Sequence, residues 1–149
     1  MEKLAIGSDH AGFRLKEKLK KYLESKGFSV IDVGTDSEES VDYPDFAFKV
    51  AKLVSEGKCK RGILVCGTGL GMSIAANKVK GIRATVCWNE EVARLSRLHN
   101  DSNVLCLGGR LLTFEEAKRI VEVWLETEFE GGRHLRRIKK ISEFEESRS

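Results

Sequence analysis

Short apolar runs alternate with longer amphipathic stretches along the whole chain. The runs are rich in Val, Ile and Leu, which is typical of buried strands. In the stretches between them, apolar residues recur every three or four positions, which predicts helices that each bury one face. The predicted strands are 4–8, 28–34, 63–66, 84–87 and 104–107. The predicted helices are about 13–26, 43–57, 71–80, 90–98, 114–130 and 133–145.

This alternation predicts a doubly wound (Rossmann-like) α/β fold, a five-stranded parallel sheet with helices on both faces. Ligands of such folds bind beyond the carboxyl ends of the strands. The last helix follows a Gly131-Gly132 break and is strongly basic. We interpret it as a C-terminal helical arm beyond the core, a segment that could lie on a partner subunit.

Length and composition narrow the class of protein. The 149 residues, 41% of them hydrophobic, fit one domain with a real core. No apolar run approaches the roughly 20 residues that span a bilayer, and the N-terminus does not resemble a signal peptide. We therefore expect a cytoplasmic protein. A net charge of +3 does not indicate a nucleic-acid or membrane partner.

The most informative stretch is the loop Cys66-Gly67-Thr68-Gly69-Leu70-Gly71 after the third predicted strand. A glycine loop that opens a helix exposes backbone N–H groups, which suits a phosphate or an anion formed during a reaction. A thiol beside those groups is favoured as thiolate. A dinucleotide site is disfavoured because the loop follows the third strand and no acidic residue lies about 20 positions on. A Walker-type loop is excluded because no Gly-Lys-Ser/Thr follows.

Other polar residues follow strand ends. Asp9 and His10 come after strand one and Arg110 after strand five, so they should share a rim with the glycine loop. His99-Asn100 ends a helix before strand five, which predicts the opposite edge and argues for a dimer with shared sites. Simpler interpretations remain open: Asp9 as a helix cap, His99-Asn100 as a helix terminus, and Arg133 with Arg137 as a solvated basic face.

The four cysteines lack metal-ligand spacing. We expect Cys87 and Cys106 to be buried as small apolar side chains. A redox sensor built on Cys66 is a weaker alternative, because no resolving cysteine is close in sequence.

Six motifs, in order and at matching spacing, resemble the type B ribose-5-phosphate isomerases. They are GSDHAG at 7–12, DYP at 42–44, CGTGLG at 66–71, AANK at 75–78, RLSRLHNDSN at 94–103 and GGR at 108–110. The similarity extends to Arg133, His134, Arg136 and Arg137. Isomerases of six-carbon sugar phosphates share this fold, so the resemblance fixes the sugar less firmly than the chemistry.

The resemblance implies one isomerase domain over residues 1–149 that interconverts ribose 5-phosphate and ribulose 5-phosphate through an enediolate. It implies no metal or organic cofactor, and a homodimer or dimer of dimers with shared active sites. By motif, Cys66 is the base, His99 and Asp9 assist ring opening, and Thr68 assists proton transfer. Some members replace the cysteine and use a glutamate later in the loop, where this chain has Met72.

By the same resemblance, the substrate-binding residues are His10, Gly67, Gly69, Leu70, Gly71, Asn100, Arg110, Arg133 and Arg137. The loop glycines hold the developing anion, and the histidine and arginines hold the phosphate. Two alternatives stay open at this stage: an isomerase of allose or galactose 6-phosphate, and a module that binds a phosphometabolite without turnover.

Overall fold

The structure is a computed structural model and describes residues 2–148. Within that part of the chain, five strands form one parallel sheet in the order β2-β1-β3-β5-β4, which confirms the predicted fold class. The strands are β1 (Lys3–Ser8), β2 (Ser29–Asp32), β3 (Arg61–Cys66), β4 (Ala84–Val86) and β5 (Val104–Gly108).

Helices cover both faces of the sheet, as the alternation predicted. They are α1 (Phe13–Ser25), α2 (Tyr43–Ser55), α3 (Leu70–Ala76), α4 (Glu90–Asn100), α5 (Phe114–Glu126) and α6 (Arg133–Ser147). One apolar cluster joins the sheet to α1, α4 and α5, and a second joins it to α2 and α3. Of the helices in residues 2–148, none is long and apolar enough to cross a membrane.

The third helix is shorter than predicted, and one side chain explains the difference. It ends at Ala76 rather than near Lys80. The Asn77 amide donates to the Ala84 carbonyl at 3.0 Å, and its Oδ1 accepts from the Ala84 N–H at 2.7 Å. Asn77 therefore pairs with the backbone of Ala84, the first residue of the edge strand β4, as a neighbouring strand would. Periodicity alone does not reveal this use of a side chain.

The basic arm, α6, packs on its own chain. His134 and Ile138 are buried, and the Glu145 carboxylate accepts a hydrogen bond from the Gly81 N–H at 2.8 Å. The Glu130 N–H, just before the helix, donates to the Leu98 carbonyl at 3.1 Å. The Glu130 contact holds the start of α6 against the end of α4, and the Glu145 contact holds the end of α6 against the turn before β4.

Gly12 lies where β1 leads into α1, and we expect Gly12→Ala to destabilise the protein by about 3 kcal/mol through overpacking. A Cβ at this position would clash with the Val65 carbonyl oxygen and lie 2.6 Å from its carbon. Backbone atoms of a central strand cannot move aside cheaply. Urea unfolding would measure the loss. Gly57→Ala is the control, because Gly57 has open space and only a φ of +74° to oppose a side chain; equal losses in both variants would contradict the clash.

Candidate active site

Cys66 ends β3, and the glycine loop folds back over its sulfur. Its Sγ accepts a hydrogen bond from the Gly69 N–H at 3.2 Å. Gly69 has a φ of +83°, a conformation that L side chains rarely adopt, and this turn aims its N–H at the sulfur. The side chain of Cys66 is buried, whereas the neighbouring Thr68 is exposed. The sulfur therefore lies beneath the glycine loop, at the carboxyl end of its strand.

The loop is fixed against β5, its neighbour in the sheet. The Gly109 N–H donates to the Cys66 carbonyl at 2.7 Å, and the Arg110 N–H donates to the Gly67 carbonyl at 3.0 Å. A Cβ on Gly108 would lie 3.0 Å from the Thr68 carbonyl. Because the two backbones touch here, the loop is preorganised rather than free to adapt.

Asp9 and His10 lie at the same edge of the sheet. The Asp9 N–H donates to the Val65 carbonyl at 3.2 Å, which ties the end of β1 to β3. Its carboxylate accepts from the Gly12 N–H at 3.1 Å, so the structure bears out its use as a cap of the 3-10 turn His10–Gly12. His10 accepts at Nδ1 from the Val41 N–H at 3.2 Å, which leaves Nε2 as the nitrogen that can donate outward.

Arg110 completes this group. A Cβ on Gly67 would lie 3.3 Å from the Arg110 Nη1, so the exposed guanidinium lies along the glycine loop. The carboxyl edge of the sheet thus brings together a buried thiol, loop N–H groups, a carboxylate, an imidazole and a guanidinium. Such a set can abstract a proton and hold an anion.

The other predicted site residues lie elsewhere. His99 and Asn100 end α4, and Arg133 and Arg137 lie in the first turns of α6, beside the amino edge of the sheet. The two edges are about 13 Å apart along β5, because Gly108 at its carboxyl end is four residues from Val104 at its amino end and a strand rises ~3.3 Å per residue. Within one chain, the structure does not bring this second group to the Cys66 sulfur.

The second group contains a histidine pair. The rings of His99 and His134 are stacked, with centroids 4.3 Å apart and planes inclined by 19°. Nitrogens of both rings lie within 4.8 Å of a Glu130 oxygen. The rings present nearly parallel planes, so their in-plane lone pairs do not converge on one ion, and the nearby Arg133 opposes a cation. We interpret the cluster as a ring stack.

The other three cysteines, Cys59, Cys87 and Cys106, are buried thiols. Burial raises the pKa of the Cys59 and Cys87 thiols, and it raises that of Cys106 well above the ordinary value, with a further rise from its thiol neighbours. These thiols stay protonated and serve as small apolar side chains. The expectation of burial for Cys87 and Cys106 is confirmed.

Tyr43 is a site residue that the sequence reasoning did not select. It begins α2, and a Cβ on Gly71 would lie 2.6 Å from its ring. The half-exposed ring therefore covers the end of the glycine loop. The DYP motif at 42–44 was the available signal: it marks a helix start and forms part of the family resemblance, but the resemblance gave Tyr43 no role in the site.

Comparison with known proteins gives consistent matches. The family described as Ribose/Galactose Isomerase matches residues 4–141. The chain is 50% identical over 149 residues, all of both chains, to ribose-5-phosphate isomerase B of Escherichia coli. It is 44% identical over 146 residues to D-erythrulose-4-phosphate isomerase of Pectobacterium atrosepticum, with 97% of this chain and 96% of that one covered. The structure of Clostridium thermocellum ribose-5-phosphate isomerase B superposes with a TM-score of 0.97 at 56% identity, with 99% of each chain covered.

The fold, the thiol loop and these matches together define an α/β sugar-phosphate isomerase that converts an aldose to a ketose. The chain belongs to the ribose/galactose isomerase family.

Proposed function

We propose that the enzyme interconverts ribose 5-phosphate and ribulose 5-phosphate, with Cys66 as the base. The observation that carries this proposal is the 3.2 Å contact between the Cys66 sulfur and the Gly69 N–H, at the sheet edge where α/β folds bind ligands. The names of the relatives support the choice of sugar. The whole chain acts as one isomerase domain in the cytoplasm.

The reaction moves a carbonyl from C1 to C2. The furanose ring of the aldose first opens: one group takes the proton of the C1 hydroxyl and another protonates the ring oxygen. His99 and Asp9 share these two roles, since imidazole both accepts and donates protons near neutral pH. Cys66, as thiolate, then takes the C2 proton. The resulting enediolate is protonated at C1, and the O2 proton leaves to give the ketose. Thr68 moves protons between O1 and O2.

The glycine loop stabilises the enediolate. In this proposal the loop residues Gly67, Gly69, Leu70 and Gly71 supply N–H dipoles to the developing oxyanion. In the structure, the Gly69 N–H donates to the Cys66 sulfur and the Leu70 N–H donates to the Thr68 hydroxyl, each at 3.2 Å. The loss of one such donor typically costs about 2.7–4 kcal/mol in the barrier. The contacts of the loop with β5 keep these dipoles in place before substrate arrives.

The phosphate and the remaining sugar atoms need residues from both edges of the sheet. His10 and Arg110 lie beside the loop and bind the phosphate from one side. Arg133 and Arg137 complete the phosphate site, and Asn100 contacts the sugar. Binding energy from the phosphate, which does not react, positions C2 at the sulfur.

A second copy of the chain supplies the distant residues in this proposal, as a homodimer or dimer of dimers. One chain alone leaves His99 at the wrong edge. Three large apolar residues near the loop are exposed: Leu70 has 58% of its surface exposed, Ile74 64% and Leu111 68%. Exposed apolar patches of this kind mark interaction surfaces. This patch fits an interface that brings His99, Asn100, Arg133 and Arg137 of one subunit to Cys66 of the other.

Arg137→Ala is expected to raise KM for ribose 5-phosphate by about 10–100-fold with a smaller change in kcat, because a charge-assisted phosphate contact contributes roughly 1.5–3 kcal/mol. Steady-state kinetics measure both constants. Lys140→Ala, on the same exposed helix, is the matched control and should leave KM unchanged. An unaltered KM in the Arg137 variant would mean that this arginine is only surface charge.

The choice of sugar is tested by comparing kcat/KM for ribose 5-phosphate, allose 6-phosphate and galactose 6-phosphate. The family description, which includes galactose, makes a six-carbon substrate the second candidate. Incorporation of deuterium at C1 or C2 from heavy water separates any isomerase from a module that only binds sugar phosphates.

A further inference from the structure

His134 has no assigned role in the reaction proposed above, although its ring contacts that of His99. Its imidazole covers that of His99 face to face, with 4.3 Å between centroids. It is buried, with only 6% of its surface exposed, at the start of a basic helix in which Ile138 is the other buried residue. A buried imidazole among arginines is costly, so its retention requires a physical reason.

The polar atoms of His134 do not provide that reason. Its Nε2 is buried and has no hydrogen-bond partner within residues 2–148. The nearest carboxylate, on Glu130, is 4.0 Å away, beyond hydrogen-bond distance. Burial lowers the pKa of His134, and the neighbouring His99 and Arg133 lower it further, so the ring is neutral at pH 7. The well-formed contact of the His134 side chain is the stacking of its ring face on His99.

The backbone around His134 is held in place independently of the His99 side chain. The His134 N–H donates to the Gly131 carbonyl at 3.1 Å, and the Glu130 N–H donates to Leu98, one residue before His99, also at 3.1 Å. The start of α6 is thus bonded to the last turn of α4. This arrangement, together with the burial of the side chain, places the flat face of His134 beside the half-buried imidazole of His99.

We propose that His134 is a positioning residue, whose ring face holds the His99 imidazole in the orientation that ring opening requires. This inference rests on the proposed function of His99. The torsion that rotates an imidazole has broad minima, so an unsupported ring at a helix end samples several orientations. A proton-transfer group must lie within hydrogen-bond reach of a particular oxygen, and misplacement by 1 Å can cost about 10²-fold in rate.

The experiment separates ring opening from the chemistry at Cys66. Ribose 5-phosphate is a closed ring, whereas ribulose 5-phosphate and D-erythrose 4-phosphate cannot form a furanose, because the hydroxyl that would close it carries the phosphate.

Three variants are compared in the full-length enzyme. His134→Phe keeps a flat ring without nitrogen, His134→Gln keeps a polar nitrogen without a ring, and His134→Leu keeps only bulk.

Two rates are measured for each variant. The first is kcat for ribose 5-phosphate. The second is ring-independent: loss of the C1 proton of ribulose 5-phosphate into heavy water, followed by NMR, with D-erythrose 4-phosphate turnover as a further measurement. We expect the Leu and Gln variants to lose about 10–100-fold in the first rate and less than about twofold in the second. His134→Phe should stay within about threefold of the wild type in both, since the ring face remains.

Equal loss of both rates would overturn the inference, because it would show that His134 only supports the fold. A Gln variant that works better than the Phe variant would also overturn it, by assigning the role to the nitrogen. Failure of the proposed function has a different signature: the wild type would then turn over no sugar phosphate, or Cys66→Ala would remain active.

Discussion

Replacing Cys66 with alanine is expected to lower kcat for ribose 5-phosphate by at least about 10²–10⁴-fold, the contribution of a positioned general base. No other thiol can take its place, since Cys106 is fully buried and its pKa is raised well above the ordinary value. Met72, in the first turn of α3, has no ionisable group. Affinity for ribose 5-phosphate should survive, because the phosphate site does not include the sulfur. Calorimetric titration and steady-state kinetics measure these two properties separately.

Cys106→Ala is the matched control for that experiment. It removes a buried thiol from the neighbouring strand and should leave kcat close to the wild-type value. Cys66→Ser tests the sulfur itself, because a hydroxyl is a much weaker proton acceptor than a thiolate near pH 7. It should be nearly as inactive as the alanine variant. Full activity in either Cys66 variant would remove the proposed base.

Several elements of the fold were predictable because local chemistry determines them. The helix α5 is capped by Thr113, whose side chain accepts from the Glu116 N–H while the Glu116 carboxylate accepts from the Thr113 N–H, a reciprocal capping box visible in the sequence. The buried strand that ends at Cys66 was equally clear, since every residue of β3 is buried. Local patterns succeed where the partners of an interaction lie within one turn or one strand.

The order of the strands was not predictable from those patterns, and it determines the site. β5 lies between β3 and β4, so Gly109 and Arg110 come to lie directly beside Cys66 and Gly67. The sequence placed Arg110 on the same rim as the loop but did not show that it touches the loop. Contacts between residues more than 40 positions apart depend on how all the strands pack together.

The split between the two groups of site residues was partly predictable. That His99 ends a helix that precedes a strand was enough to place it at the amino edge, and the structure agrees. Its stacking on His134 was not visible, because it requires α6 to fold back onto α4. Tyr43 was missed for a similar reason: its contact with Gly71 joins the start of α2 to a loop in a different part of the chain.

Mixing two inactive variants is expected to restore activity, because the proposed sites are shared between subunits. A purified heterodimer of Cys66→Ala and His99→Asn contains one site with both substitutions and one with neither. It should therefore have about half the wild-type activity, as follows from two-fold symmetry with two equivalent sites. Each variant alone should retain less than about 1% of kcat. Coexpression with two different affinity tags allows the heterodimer to be isolated.

The reverse arrangement is the control that makes this result decisive. A heterodimer of the wild-type chain and a chain with both substitutions has the same composition, but both of its shared sites lack one catalytic group. It should be almost inactive. If His99 instead served the Cys66 of its own chain, the two results would be exchanged: the first heterodimer would be inactive and the second would keep about half its activity, from its intact chain. Light scattering on each preparation shows that the compared species are dimers, and a monomeric wild type with full activity would contradict the shared site directly.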